Sequence, residues 1–165
     1  MRTNLIYATA LLTLLFLTSF SEGNDPSEKT SLQLKWQQHT FSSYSCLSDS
    51  TLSYEAFDYA LRGYYSLMEQ DKLDNRKYLT IVDFTQHSSQ KRMYVIDMDD
   101  FSIALKTYCA HGKNTGGAQA NHFSNKNGSL QSSLGFYIAN ETYRGKFDYA
   151  MRLDGVDYSN YRARE

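Results

Sequence analysis

The sequence is poor in three things. It has one proline and two cysteines in 165 residues, and no surplus of positive charge. With only Cys46 and Cys109 there is no CxxC pair and no Cys/His spacing for structural zinc, so no metal is expected. The two thiols allow one disulfide in an oxidising compartment or two free thiols, and the sequence leaves both open. Seventeen basic residues against eighteen acidic give a formal charge of −1. That balance argues against nucleic acid or an anionic membrane as a partner. Fourteen Tyr and nine Phe against a single Pro point to a β-rich domain and away from disorder. Nor is there an apolar run of the roughly 20 residues needed to span a bilayer.

The longest apolar stretch lies at the start. Met1-Arg2 carries one positive charge, and no acidic residue precedes Glu22. A mostly apolar run, Leu5 to Leu17, is interrupted by Thr9 and Thr13, and Ser19 and Ser21 then form a Ser-x-Ser site before Glu22. Charge, apolar core and small residues, in that order, are the grammar of a cleavable secretory signal peptide, here residues 1–21. An uncleaved anchor is the alternative, and the shortness of the run opposes it. No cysteine follows the run, which argues against a lipoprotein. The chain is therefore expected to be exported, to the periplasm or cell envelope, with no stable membrane anchor after cleavage. The remaining roughly 144 residues suffice for one domain with a core.

Residues 22–51 form a polar segment, read as a flexible start with a short helix around Leu32–Gln37. Ser53 has the character of an N-cap, with Glu55 in the first turn. Phe57, Leu61, Tyr64 and Met68 fall at i, i+4, i+7 and i+11, one apolar stripe of a helix over about Tyr54–Gln70 that is expected to pack on a sheet. From Tyr78 the pattern turns to strands: YLTIVDF, then KRMYVIDM with Tyr94 and Ile96 on one face, a turn at Asp97–Asp100, and FSIALKTYCAHG as the returning strand of a β-meander. A polar loop from Gly112 to Ser133 follows, and a loop of that length is often functional. Strands resume at GFYIANET and DYAMRLDG.

Several familiar chemistries are excluded. Counting from Asp97, the sixth and twelfth positions hold Ser102 and Tyr108, so the acidic turn is no EF-hand. Gly116-Gly117 lacks the phosphate-cradling GxxxxGK[ST], and QSSLG is no GxSxG nucleophile elbow. Asn127-Gly128-Ser129 and Asn140-Glu141-Thr142 match the N-glycosylation pattern, which matters only in a eukaryotic secretory pathway. Cys109 and His111 are the sharpest local pair. At i and i+2 on a strand both point to one face, but their backbone positions lie about 6–7 Å apart. An inert thiol, or half of a disulfide with Cys46, is the better reading.

Taken in order, YEAFDYALRGY, LTIVDFTQHSSQKRMYVIDM, AHGKNTGG, HFSN, GSLQSSLGFY, ETYRGK and MRLDG resemble the murein L,D-transpeptidase catalytic domain of YkuD type. The resemblance runs from about Leu52 to the end. It implies a mainly β (α+β) catalytic fold over residues 52–165, with an N-terminal helix packed on the sheet. It also implies cysteine acyl transfer between peptidoglycan stem peptides. A thiolate activated by a histidine forms a thioester with the donor stem, and an amine of a second stem resolves it. No cofactor is implied.

Residue by residue, His111, Gly112, Asn114 and Gly116 match the family's His-Gly-x-Asn-Ser-Gly segment, with Thr115 in place of Ser. Ser133, Leu134, Gly135 and Phe136 match its Gly turn into a strand. The resemblance thus implies His111, Gly112, Asn114, Ser133 and Gly135 as substrate-binding residues. Two departures stand out. Phe147-Asp148 occupies the place of a His-Gly pair. The family's catalytic His-Gly and Ser-x-Gly-Cys motifs follow the MRLDG segment, and neither occurs before Glu165. The expectation is a C-terminally incomplete, inactive L,D-transpeptidase-like domain with no catalytic residue of its own. The alternative is a non-catalytic envelope protein that binds peptidoglycan peptides.

Overall fold

Two helices precede five strands in the computed structural model, which describes residues 26–146 and 148–164. The expected signal peptide, residues 1–21, and Phe147 lie outside the described residues.

Helix α1, Pro26–Cys46, begins at the only proline, the residue best suited to a first helical position. A flexible start with a short helix around Leu32–Gln37 was expected here, and one 21-residue helix is found. The reason lies in what it buries. Trp36, Thr40, Ser43 and the following Leu47 are buried at i, i+4, i+7 and i+11, while Leu34 and Phe41 face solvent. The stripe is helical in spacing but half polar, so hydropathy does not reveal it.

Helix α2, Tyr54–Glu69, follows the sequence signals closely. Ser53 has extended backbone, and its Oγ accepts from the Ala56 amide at 3.3 Å. Of the apolar stripe, Phe57, Leu61 and Tyr64 are buried. The helices join through aromatic and charged side chains. Trp36 Nε1 donates to Asp58 at 2.6 Å, the Arg62 guanidinium lies 4.8 Å above the Trp36 ring, and Tyr44 meets Tyr54 and Phe57 edge-on or tilted. His39 packs against the rings of Trp36, Tyr65 and Phe101.

The strands form two antiparallel sheets. The first is the expected meander, in the order β1 (Tyr78–Val82), β2 (Met93–Asp97), β3 (Ser102–Thr107). Tyr94 and Ile96 are fully buried on the one face their alternation predicted. The acidic turn is stabilised locally, Asp97 accepting from the Asp99 amide and Asp100 from the Ser102 amide. The second sheet is a hairpin of β4 (Tyr137–Gly145) and β5 (Asp148–Gly155), with an irregularity between Ala139 and Thr142.

β3 ends at Thr107, so Cys109 and His111 lie beyond the strand, a correction to the expected strand pair. Neither cysteine forms a disulfide; both are free thiols.

The chain divides into two compact units. One comprises the described residues to Leu79 with Ile96–Ile103; its core is mainly apolar, with Trp36, Leu47, Leu52, Phe57, Leu61, Tyr64 and Ile96 buried beside Thr40 and Ser43. The other comprises Thr80–Val95 and the described residues from Ala104 on. It buries Ile81, Tyr94 and Ala120 together with the polar Asp83, Arg92, Thr115 and Asn160. The second unit is therefore organised largely by hydrogen bonds, and the candidate site is built on these.

Candidate functional site

Residues 108–136 contain no strand or helix, yet the loop is closely tied. Gly112 lies where a Cβ would come within 2.6 Å of the Leu130 carbonyl oxygen and 2.8 Å of the Ser132 nitrogen, so only glycine fits. Its amide donates to Ser132 Oγ at 2.9 Å. Asn114 closes the same loop: its amide donates to the Leu130 carbonyl at 2.9 Å and its Nδ2 to the Ser129 carbonyl at 2.8 Å. Thr115 is fully buried, and its hydroxyl accepts from the Ser132 amide at 2.7 Å. A serine hydroxyl can accept that bond too, so the Thr-for-Ser departure preserves the contact.

Arg92 anchors the start of this loop. It is fully buried, and its guanidinium donates to the Cys109 carbonyl through Nε at 3.0 Å and Nη2 at 2.9 Å, to the Gln86 carbonyl at 2.9 Å, and to His111 Nδ1 at 2.8 Å. Arginine can only donate, so Nδ1 of His111 is the acceptor. Nε2 therefore carries the proton of the neutral ring and donates to the Gly117 carbonyl at 2.9 Å, with Gly116 at 3.4 Å. Both imidazole nitrogens are engaged in structure.

Cys109 is half-buried, and its Sγ donates to the Ala110 carbonyl at 3.3 Å. Burial pushes the thiol pKa up, offset in part by the Arg92 charge. A nucleophilic cysteine needs the opposite shift and a base within reach.

On the far side of the loop, Tyr137 donates its hydroxyl proton to the Ser133 carbonyl at 2.9 Å, which leaves Ser133 Oγ to donate to the Tyr137 oxygen at 2.6 Å. Gly135 has φ +127°, and a Cβ there would lie 2.5 Å from Asp157 Oδ2. That closeness lets Asp157 Oδ2 accept from the Phe136 amide at 2.6 Å, while the buried Asn160 donates to the Phe136 carbonyl at 2.7 Å.

These ties leave a cleft of about 690 Å³, lined by residues 124–133, by Phe84, by Tyr137 and Tyr143 of β4, by Met151–Leu153 of β5, and by residues 162–164. Of the five residues expected to bind substrate, Ser133 lines it. His111, Gly112, Asn114 and Gly135 do not; they brace the loop and turn that do. Arg92, Asn160 and the cleft arginines were not foreseen. Arg92 stands near the start of the KRMYVIDM strand pattern, and its acceptors Cys109 and His111 come 17 and 19 residues later, beyond any local pattern.

Glu141 joins two of the cleft cations, taking Arg152 at 3.1 Å and Arg164 at 2.6 Å, and Arg164 also pairs with Asp154. Hydrogen bonds from its own backbone amide and from Arg164 hold the Glu141 carboxyl below the usual range.

The family model of the L,D-transpeptidase catalytic domain, YkuD_2, matches residues 48–165. No curated protein and no solved structure gives a match. The matched segment includes the meander, the braced loop, the hairpin and the whole cleft lining, over two thirds of the sequence, and the chain belongs to the L,D-transpeptidase catalytic domain family.

Proposed function

We propose that this chain is an exported, murein L,D-transpeptidase-like protein that binds peptidoglycan stem peptides in the cleft beside Ser133, and that its 165 residues alone transfer no acyl group. The family to which it belongs acts on such peptides. Covalent transfer requires a thiolate, a base to form it and donors for the oxyanion. One observation carries the inactive half of the reading: His111, two residues along the chain from Cys109, has both nitrogens committed, to Arg92 and to the Gly116 and Gly117 carbonyls. The raised Cys109 pKa points the same way. Neither cysteine belongs to a Ser-x-Gly-Cys sequence. Export is supported by the order of charge, apolar run and small residues over 1–21.

The test is incubation of the full chain with a donor stem tetrapeptide, followed by intact mass spectrometry and, in parallel, a binding titration. Saturable binding with unchanged protein mass is expected. A thioester adduct on either cysteine would overturn the inactive reading, and no binding would overturn the recognition half. N-terminal sequencing of envelope material should find a start near Glu22; an intact Met1 would count against export.

A further inference from the structure

Asn127-Gly128 is the one Asn-Gly pair in the sequence, and it sits at the tip of a turn on the cleft wall. The turn is fastened at its base. The Ser129 amide donates to the Lys126 carbonyl at 3.1 Å, the Lys126 amide to Ser124 Oγ at 3.0 Å, and Asn114 Nδ2 to the Ser129 carbonyl at 2.8 Å. The tip is held by nothing comparable. Asn127 and Gly128 are exposed, and neither the Asn127 side chain nor the Gly128 amide has a hydrogen-bond partner among the described residues. Gly128 has φ +73°, and a Cβ built on it would meet nothing within 4 Å. Its backbone angle, not crowding, is what favours glycine there.

The other asparagines of this unit are placed differently. After Asn114, Asn121 and Asn125 the next amide is already donating: Thr115 to the Gly112 carbonyl at 2.8 Å, His122 to the Thr115 carbonyl at 2.8 Å, and Lys126 to Ser124 Oγ at 3.0 Å. Asn140, of the second N-glycosylation triplet, gives its Nδ2 to Asp154 at 2.6 Å, and Asn160 is fully buried. A backbone nitrogen attacks the preceding side-chain amide only after losing its proton, and only when the chain can turn it toward the carbonyl carbon. A hydrogen bond on that nitrogen opposes both, and a side chain on the attacking residue hinders the approach. Of these asparagines, Asn127 alone is followed by an unengaged amide on a residue without a side chain.

We propose that Asn127 is a site of self-modification, at which the Gly128 nitrogen attacks Asn127 Cγ and the cleft wall gains a carboxylate. The N–Cγ bond forms, the Cγ–Nδ2 bond breaks, and the proton lost by the Gly128 nitrogen leaves with Nδ2 as ammonia. The product is a cyclic succinimide. Water, the only co-reactant, then adds to one of its two carbonyl carbons and breaks the bond from that carbon to the Gly128 nitrogen. Opening on the side-chain carbon leaves an aspartate at position 127. Opening on the backbone carbon leaves an isoaspartate, whose main chain is longer by one carbon. The cleft lining includes no carboxylate, so either product places the first one there, beside Lys126. The longer main chain of isoaspartate also works against the Ser129–Lys126 bond that closes the turn.

The experiment ages the full folded chain at mildly alkaline pH in heavy-oxygen water and follows each asparagine by peptide mapping with fragmentation. Asn127 should lose ammonia and gain a heavy oxygen at least about tenfold faster than Asn114, Asn121 or Asn140, a barrier difference of about 1.4 kcal/mol. An isoaspartyl methyltransferase with a labelled methyl donor should mark the same site. The rate should fall at mildly acidic pH, because the attacking nitrogen must lose its proton. Asn127→Gln should abolish the conversion, since its longer side chain demands a larger ring, and should leave the thermal midpoint unchanged because the residue is exposed. Amide exchange at Ser129 should be faster in the aged chain than in the fresh one. An Asn127 that persists in the folded chain while the urea-unfolded chain converts would show that the turn holds the pair apart, and would overturn the proposal. Conversion of Asn121 or Asn140 as fast as Asn127 would overturn the selection of this site. A heavy oxygen gained without any isoaspartate would mean direct hydrolysis of the side chain, and the attack by Gly128 would be lost.

Discussion

Arg92 donates a 2.8 Å hydrogen bond to Nδ1 of His111, and that one contact decides what the histidine is for. A donor-only partner on Nδ1 puts the proton on Nε2, where the Gly117 carbonyl takes it. His111 is thus a strut between Arg92 and the loop rather than a base for a neighbouring thiol. Arg92→Ala should lower stability by roughly 3 kcal/mol, because it strands the Cys109 carbonyl, the Gln86 carbonyl and Nδ1 in a buried place. Arg92→Lys should recover only part, since an ammonium lacks the planar fork that serves all three acceptors. Urea denaturation measures both, and imidazole 15N shifts of the unaltered chain should report the proton on Nε2. A proton on Nδ1, or an Arg92→Ala chain as stable as its parent, would contradict the strut.

The two cysteines should separate kinetically. Cys46 is exposed and Cys109 half-buried with its thiol pKa raised by burial. Thiolate is the species that reacts. Iodoacetamide should therefore add one label quickly, on Cys46, and a second slowly, on Cys109. Peptide mapping of early time points checks this, and Cys109 labelled first would revive an activated thiol.

Stability of the unit built on α1 and α2 should respond to pH at both extremes. Burial lowers the pKa of His39 from 6.5. Below 6.5 the unfolded chain takes up a proton that the folded ring resists, so this contribution is lost as pH falls from about 6.5 toward the folded value. Tyr65 behaves oppositely: burial, helped by Tyr64, pushes its pKa from 10.0 up to about 12. The unfolded phenol ionises first, so stability declines as pH rises from about 10 to about 12. Thermal midpoints across pH should bend in both windows. His39→Gln should flatten the acidic bend and Tyr65→Phe the alkaline one, and an unchanged bend in either variant would assign it elsewhere.

The same pair of helices marks where the sequence is legible and where it is not. α2 can be read because Ser53 caps it and Phe57, Leu61 and Tyr64 carry a fully apolar stripe. α1 cannot, because two of its inward positions are Thr40 and Ser43, and Leu34 and Phe41 point outward. The strands are legible from alternation, as at Tyr94 and Ile96. In the candidate site, short-range features such as the His111-Gly112 loop and the Ser133–Gly135 turn stand out as motifs. The groups that fix them do not: Arg92 and Asn160 reach across 19 and 24 residues, and long-range hydrogen bonds leave no local period.

Thr40 itself supplies a test. Its side chain is fully buried, and Oγ1 has no hydrogen-bond partner among the described residues. A buried hydroxyl without a partner carries an uncompensated desolvation penalty. Thr40→Val keeps the shape and removes the polar atom, so it should raise stability by about 1 kcal/mol. A calorimetric midpoint that falls on this substitution would mean that the hydroxyl is satisfied in solution.

Asn160 should control the turn that carries part of the cleft. It is fully buried; its Nδ2 donates to the Phe136 carbonyl at 2.7 Å, and its Oδ1 accepts from the Asp157 amide at 2.8 Å. Asp157 in turn accepts from the Phe136 amide at 2.6 Å. One side chain therefore fastens residues 156–162 to the entrance of β4, and residues 162–164, next along the chain, line the cleft. Asn160→Ala leaves the Asp157 amide without its acceptor and removes a donor from Phe136, at a cost of roughly 1–3 kcal/mol. The Phe136 carbonyl still accepts from Val156 at 3.1 Å, so the turn should loosen rather than unfold. Gly135→Ala should reach the same state by another route, because a methyl at φ +127° collides with the Asp157 carboxylate. Both variants should speed hydrogen exchange at Phe136 and Asp157 and weaken peptide binding, while exchange in α2 stays slow. Unchanged exchange at those two amides in either variant would show that the turn is held by other contacts, and the link from Asn160 to the cleft would be lost.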